Sequence, residues 1–190
     1  MPASISTNIS TESPKIHVTN LLIFHAGGLD CAFPIEAVQE VVPMATLFSP
    51  PGLPSGLAGF LNLRGTAIPI LRLDRLLELP ERQPGLHTPM IVLRGAARAL
   101  GPNYCTTGVL VDSVHAIVPT ASARLLDIPE SGTFRGCATA ALELDGDPVH
   151  LLSAAALLDL NESRLLADYS AMAQARLRHM EQHGGAEEAD

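Results

Sequence analysis

Glycine and proline interrupt the chain at short and regular intervals, and this spacing constrains the fold more than any other feature of the sequence. The 190 residues include 15 glycines and 15 prolines. Turn signals recur about every 8–12 residues, and the aliphatic runs between them have the length of strands, which is typical of small β-barrels and β-sandwiches. Strand-like runs do not alternate with long helical segments, so the pattern disfavours a doubly wound sheet.

The short runs predict about ten strands, some of them joined by hairpin turns. Gly27-Gly28 joins the first two runs, and Asp145-Gly146 joins the last two. The leucines within 73–77 recur at helical spacing and predict a short amphipathic helix that Pro80 stops. Ser153 is a suitable N-cap, so a second short helix is predicted at 154–160.

Composition divides the chain into four parts. We predict that residues 1–19 form a flexible arm and that residues 20–160 contain the strands. Residues 161–182 are predicted to form a helix, and residues 183–190 a disordered acidic tail. Within the strand-rich part, we expect 121–135 to be irregular. A stripe on the predicted C-terminal helix packs either on the chain's own barrel or on a partner, and the sequence leaves both open. The stripe consists of Leu165, Tyr169, Met172, Arg176 and Met180.

Charge and cysteine usage exclude several classes of partner and compartment. The formal net charge is -8 and Lys15 is the single lysine, whereas nucleic-acid and membrane-surface binding require clustered basic residues. No apolar run approaches the ~20 residues that span a bilayer, and the N-terminus lacks the features of a secretory signal. Cys31, Cys105 and Cys137 are odd in number and widely spaced, which favours a reducing, cytoplasmic compartment.

The sequence contains no catalytic constellation, nucleotide-binding loop or metal-binding motif. We therefore predict a protein that is not an enzyme and that binds no cofactor and no metal. His179 and His183 have i, i+4 spacing, but a solvated helix end competes with a metal site as their interpretation. Cys31 and Cys137 lie in strand-like runs typical of core packing, while Cys105 follows a loop. A small thiol-dependent enzyme is the remaining catalytic alternative.

Several segments, taken in order, resemble the CheW-like family of chemotaxis coupling proteins. Residues 59–73 read GFLNLRGTAIPILRL and resemble the family's "GxxNLRGxxxPxxxL" core. Residues 33–41 (FPIEAVQEV) and 108–114 (GVLVDSV) resemble two further family segments, and 148–158 resemble the family's final strand and helix. The resemblance spans about 20–160. It implies a mainly β fold of two SH3-like five-stranded barrel lobes that share a core, with short helices and a C-terminal helix.

The resemblance also implies a receptor-binding set: Val38, Glu40, Gly59, Asn62 and Arg64. Arg64 precedes a glycine after a strand, so we expect it at a turn with its guanidinium exposed, either for a partner carboxylate or as a local clamp. Val38 and Glu40 would share one face of a strand. The alternative for this pair is a core valine beside a solvated glutamate. The resemblance leaves the kinase-binding residues unassigned.

The resemblance implies a function without catalysis. Such a protein links the cytoplasmic tip of a methyl-accepting chemoreceptor to the regulatory domain of a CheA-type histidine kinase, and it is cytoplasmic and recruited to membrane-associated arrays. The alternative with the same fold is a pathway-specific scaffold for twitching or surface-sensing arrays without direct kinase coupling. Neither requires nucleic acid or membrane insertion.

Overall fold

The computed structural model describes residues 19–94, 106–126, 134–157 and 171–178. Within these ranges the chain forms short strands, single turns of 3-10 helix, the one-turn helix α1 and a helical segment at 171–178, here termed the C-terminal helix. The bounds are β1 Asn20–Ala26, β2 Leu29–Pro34, β3 Val38–Val42, β4 Leu57–Leu63, β5 Thr66–Arg72, α1 Leu73–Leu76, β6 Met90–Arg94, β7 Thr106–Leu110, β8 Ser113–Pro119, β9 Arg124–Leu126, β10 Ala138–Leu144 and β11 Asp147–Leu152.

The strands form two sheets. The first sheet has six strands in the order β8-β1-β2-β11-β10-β9, and the second has five in the order β3-β6-β7-β5-β4. Neighbouring strands are antiparallel except β2 with β11 and β5 with β7, which are parallel. The first sheet thus combines the beginning and end of the strand-rich region, and the second is built from its middle. The prediction of a mainly β fold with few helices is confirmed.

Two local predictions are wrong. The segment 121–135 contains strand β9, whose Leu125 lies opposite Leu142 of β10 and which extends the first sheet to six strands rather than five. A three-residue edge strand is too short to show an alternating pattern. Residues 154–157 form turns rather than a helix, although the Ser153 hydroxyl oxygen accepts a hydrogen bond from Ala156 N at 3.3 Å. Residues 158–160 lie outside the described ranges.

The two sheets share one apolar core. The rings of Phe24 and Phe33 stack in it with centroids 4.9 Å apart, and side chains from the second sheet pack against them. Each sheet also covers a smaller apolar cluster on its other face. On β1, for example, Leu22 and Phe24 face the shared core while Leu21 and Ile23 face the cluster of the first sheet. Burial on both faces explains why this strand reads as a continuous apolar run.

Asp112, in the connection between β7 and β8, holds the hairpin turn between β1 and β2. Asp112 N donates to the His25 carbonyl oxygen at 2.8 Å, and Asp112 Oδ2 accepts from Gly27 N at 2.8 Å. Gly27 has φ +58, and a Cβ there would lie 2.5 Å from the Leu79 Cβ, so the turn requires glycine. The end of β1 is therefore anchored to the backbone that crosses between the sheets.

Candidate partner-binding site

Arg64 and Gly65 are the two central residues of the hairpin between β4 and β5. Their φ angles are +53 and +83, and Leu63 pairs directly with Thr66, as in a type I′ turn. Asn62 Oδ1 accepts a hydrogen bond from Gly65 N at 2.9 Å and so stabilises the turn. The expected position of Arg64 at a turn is what the structure shows, and its side chain is 78% exposed.

The Arg64 guanidinium reaches the opposite edge of the second sheet. Its Nη2 lies 3.2 Å from Glu40 Oε2, although β3 and β4 are the two edge strands of that sheet. A backbone bridge between Phe48 and Phe60 also joins the segment after β3 to β4. These contacts bring the two edges of the second sheet near each other, although β3 and β4 do not pair. Glu40, Asn62 and Arg64 consequently form one polar surface, here termed the hairpin surface.

Val38 does not lie on this surface, and the expectation that it shares a face with Glu40 is wrong. A register shift between the two residues pairs Val38 with Leu93 and Glu40 with Val92. Val38 is therefore 7% exposed in the shared core, whereas Glu40 is on the other face. A β-bulge changes the facing of the residues that follow it, and an alternating pattern does not reveal it.

Gly59 lies on β4 before the turn and allows this strand to pack closely against the segment 47–49. Its φ is +149, and a Cβ on it would lie 2.6 Å from Ser49 Oγ and 2.9 Å from the Phe48 carbonyl oxygen. Only glycine allows β4 to approach the segment 47–49 this closely. Gly59 thus shapes the surface through its backbone, while Asn62 and Arg64 contribute side chains.

The C-terminal helix docks beside the same hairpin, a contact that the sequence did not predict. Ala67 N donates to Gln174 Oε1 at 2.7 Å, and Gln174 Nε2 donates to the Gly65 carbonyl oxygen at 2.8 Å. Strand β7 pairs with β5 only from Ile70 onward, so the Gln174 amide satisfies an otherwise unpaired edge. Ala173 is 2% exposed against the core.

The packed face of this helix agrees with the predicted stripe only in part. Met172 is 58% exposed, and the Arg176 guanidinium carbon lies 4.5 Å from the centre of the Phe48 ring. The face toward the protein instead carries Ala173, Gln174 and the half-buried Leu177. A groove of about 370 Å³ remains between this helix, β4 and the segment 46–48. The other stripe residues lie outside the described ranges.

The two described cysteines do not form a thiol active site. Burial, and secondarily the charge of Asp30, raise the pKa of the Cys31 thiol to about 12, so this thiol is protonated at neutral pH. Cys137 is also buried, and its sulfur lies 3.2 Å from the Ala156 carbonyl oxygen. Burial lowers the pKa of His150, which packs edge-on against Phe134. Cys105, His179 and His183 lie outside the described ranges.

These features define a class of protein: a small β scaffold whose distinctive polar side chains lie on an exposed turn. The profile of the family described as "CheW-like domain" matches residues 20–162. The chain therefore belongs to the CheW-like domain family, as the sequence resemblance indicated. Its members are non-catalytic scaffolding adaptors of chemotaxis, so the prediction that this chain is not an enzyme is confirmed.

Two individual proteins illustrate the similarity. The chain is 26% identical over 142 residues to "Chemotaxis protein CheW" of Rhizobium meliloti (strain 1021), covering 72% of this chain and 87% of that protein. The fold matches the crystal structure of the scaffolding protein TtCheW from Thermoanaerobacter tengcongensis with a TM-score of 0.63 and 19% identity, covering 80% of this chain and 94% of that one. The predicted SH3-like fold is thus confirmed. Among the described residues, no helix has the length and apolar composition to cross a membrane.

Proposed function

We propose that this adaptor couples the cytoplasmic tips of chemoreceptors to a CheA-type histidine kinase, and that it does so in the cytoplasm at membrane-associated receptor arrays. The observation that carries the proposal is the hairpin surface. It combines an exposed guanidinium and a carboxylate on a scaffold whose described cysteines are buried. Membership of the CheW-like family supports a scaffolding role, and the names of the two relatives refer to chemotaxis and scaffolding.

The guanidinium of Arg64 retains the capacity to bind a partner. It has five N–H donors in a planar fork, and the structure shows one hydrogen bond from it, to Glu40. The Glu40 side chain is only 25% exposed, so the more buried carboxylate positions the more exposed guanidinium. A carboxylate of the receptor tip fits the remaining donors, because paired N–H groups bind carboxylates in a bidentate manner.

The five residues of the proposed receptor-binding set therefore act in two ways. Arg64, Glu40 and Asn62 form the contact surface or hold it in shape. Val38 and Gly59 act indirectly, through the shape of the backbone. Val38 fills the core behind β3, and Gly59 allows β4 to approach the segment 47–49. Substitution of either buried residue would alter binding through the shape of the surface.

A co-sedimentation assay tests the proposal with the full chain, a receptor cytoplasmic fragment and the CheA-type kinase from the same genome. Wild type is expected to form the ternary complex, and Arg64→Ala and Glu40→Gln are expected to weaken receptor binding. Arg124→Ala is the matched control, since Arg124 is an exposed arginine on β9 of the first sheet. Circular dichroism verifies that each variant is folded.

The outcomes separate the candidate functions. Receptor binding without kinase recruitment would replace coupling by the alternative of a scaffold for twitching or surface-sensing arrays. Equal loss of binding in Arg124→Ala would remove the hairpin surface from the proposal. Failure of wild type to bind either partner would refute the coupling function in this pathway.

A further inference from the structure

Three side chains of types that can ligate a metal ion meet on the first sheet, away from the hairpin surface. They are His25 of β1, Asp30 of β2 and His115 of β8, and one ligand atom of each lies within 4.8 Å of the other two. His25 and Asp30 are direct partners in the antiparallel register of β1 and β2. Strand β8 pairs with the other side of β1, so three adjacent strands each supply one ligand.

The contacts already orient the imidazole groups. His25 Nδ1 lies 2.7 Å from Asp30 Oδ1, and the rings of His25 and His115 meet edge to face with centroids 5.6 Å apart. The hydroxyl of Ser113 lies 3.1 Å from His115 Nε2. The contact with Asp30 therefore holds the His25 ring in one orientation beside the carboxylate.

The backbone at the His25 end of this group is anchored by hydrogen bonds. The His25 carbonyl oxygen accepts from Asp112 N, and the turn after β1 is anchored by the Asp112 carboxylate. In β8 the register shifts between Val114, the partner of Phe24, and Ala116, the partner of Ile23, so His115 is the extra residue of this irregularity. The side chains of His25 and Asp30 are about one-third exposed and His115 is exposed, so an ion has an access path from solvent.

We propose that His25, Asp30 and His115 bind one divalent transition-metal ion of the zinc type. Two imidazole nitrogens and one carboxylate oxygen are donors that Zn²⁺ prefers, with water completing a tetrahedron. Bonds of about 2.0–2.2 Å at tetrahedral angles place two ligand atoms about 3.3–3.5 Å apart, so the 2.7 Å contact between His25 and Asp30 has to widen by about 0.6 Å or more. The ion would join the edge strand β8 to the β1–β2 hairpin. This proposal replaces the sequence-based expectation that the chain binds no metal.

Calorimetric titration of the full chain, prepared without a histidine tag, with ZnCl₂ tests the proposal. The expected stoichiometry is one ion per chain. His115→Ala and Asp30→Asn are expected to lower the affinity about ten-fold or more, because the first removes one of three ligands and the second replaces a carboxylate by a weaker, neutral amide. His87→Ala is the matched control, since His87 is an exposed histidine outside the strands. MgCl₂ should give no comparable binding, because Mg²⁺ prefers oxygen ligands.

A second variant separates this site from the other histidine pair of the chain. The double variant His179→Ala/His183→Ala is expected to retain Zn²⁺ binding. Loss of binding in that variant together with retention in His115→Ala would overturn the proposal, as would a wild type that does not bind Zn²⁺. Because His115 is exposed, His115→Ala decides the question even if Asp30→Asn fails to fold.

Discussion

Replacing Arg64 by glycine is predicted to separate the binding function of the hairpin turn from its stability. Arg64 has φ +53, and a non-glycine residue in the left-handed region costs roughly 1–2 kcal/mol. The equivalent position in the β10–β11 hairpin, φ +53 as well, carries Asp145, a residue type that tolerates this conformation better. The turn therefore contains arginine where the backbone alone would favour glycine, asparagine or aspartate.

The expected change in stability can be worked out from three opposing contributions. Glycine relieves about 1–2 kcal/mol of backbone strain. It also increases the entropy of the unfolded chain, which costs about 0.4–1 kcal/mol, and it removes an exposed ion pair with Glu40 that contributes about 0–1 kcal/mol. These contributions largely cancel, so the free energy of unfolding of Arg64→Gly should lie within about 1.5 kcal/mol of the wild-type value while its receptor binding falls.

Urea unfolding at 25 °C measures the first quantity, and co-sedimentation with the receptor fragment measures the second. Asp145→Gly is the matched control, because it changes the other hairpin turn at the same φ and should leave receptor binding unchanged. A loss of more than about 2 kcal/mol in Arg64→Gly would show that Arg64 is mainly a structural clamp between β3 and the hairpin. Unchanged binding in a stable Arg64→Gly would refute its role as a contact.

Two further substitutions test the surroundings of the turn. Gln174→Ala should speed hydrogen exchange at the Ala67 amide, because Gln174 Oε1 is its acceptor, and should weaken docking of the C-terminal helix by about 1–3 kcal/mol for two hydrogen bonds. Met172→Ala is the control, because Met172 is 58% exposed on the same helix. An unchanged rate of hydrogen exchange at the Ala67 amide in Gln174→Ala would contradict the contact between Gln174 and Ala67. Gly59→Ala should lower the free energy of unfolding by about 1–3 kcal/mol, because the added Cβ would displace the segment 47–49. Urea unfolding measures this change, and an unchanged free energy would contradict the crowding at Gly59.

Local turn chemistry made much of the fold predictable from the sequence. Gly27-Gly28 and Asp145-Gly146 each join two strands that pair antiparallel, as their residue types required. The turn at Arg64 could be placed in the same way. In each case residues close in sequence determine the conformation, so no knowledge of distant contacts is needed.

Contacts between segments that are far apart in the sequence could not be predicted from the sequence. Gln174 binds Ala67 across 107 positions, and no periodic pattern distinguishes it from the other polar residues of the helix. His25 and His115 are 90 positions apart, and only the pairing of β1 with β8 brings them together. Pairing between distant strands depends on the whole topology, so neither contact has a local sequence signature.

Two departures from regular β geometry and one unfavourable turn residue border the hairpin surface, and their coincidence favours a functional explanation. The β3 register shift buries Val38 and turns Glu40 toward the other face, Gly59 allows β4 its close approach to 47–49, and the turn holds Arg64 at positive φ. A regular edge strand would not require the first two, and the type I′ turn, which requires positive φ in any case, would be less strained with glycine, asparagine or aspartate in place of Arg64. Local irregularities that cost stability tend to accumulate where a protein binds or reacts. Together they bring an exposed guanidinium next to a carboxylate from the opposite edge of the sheet, which is the arrangement that the Arg64→Gly experiment examines.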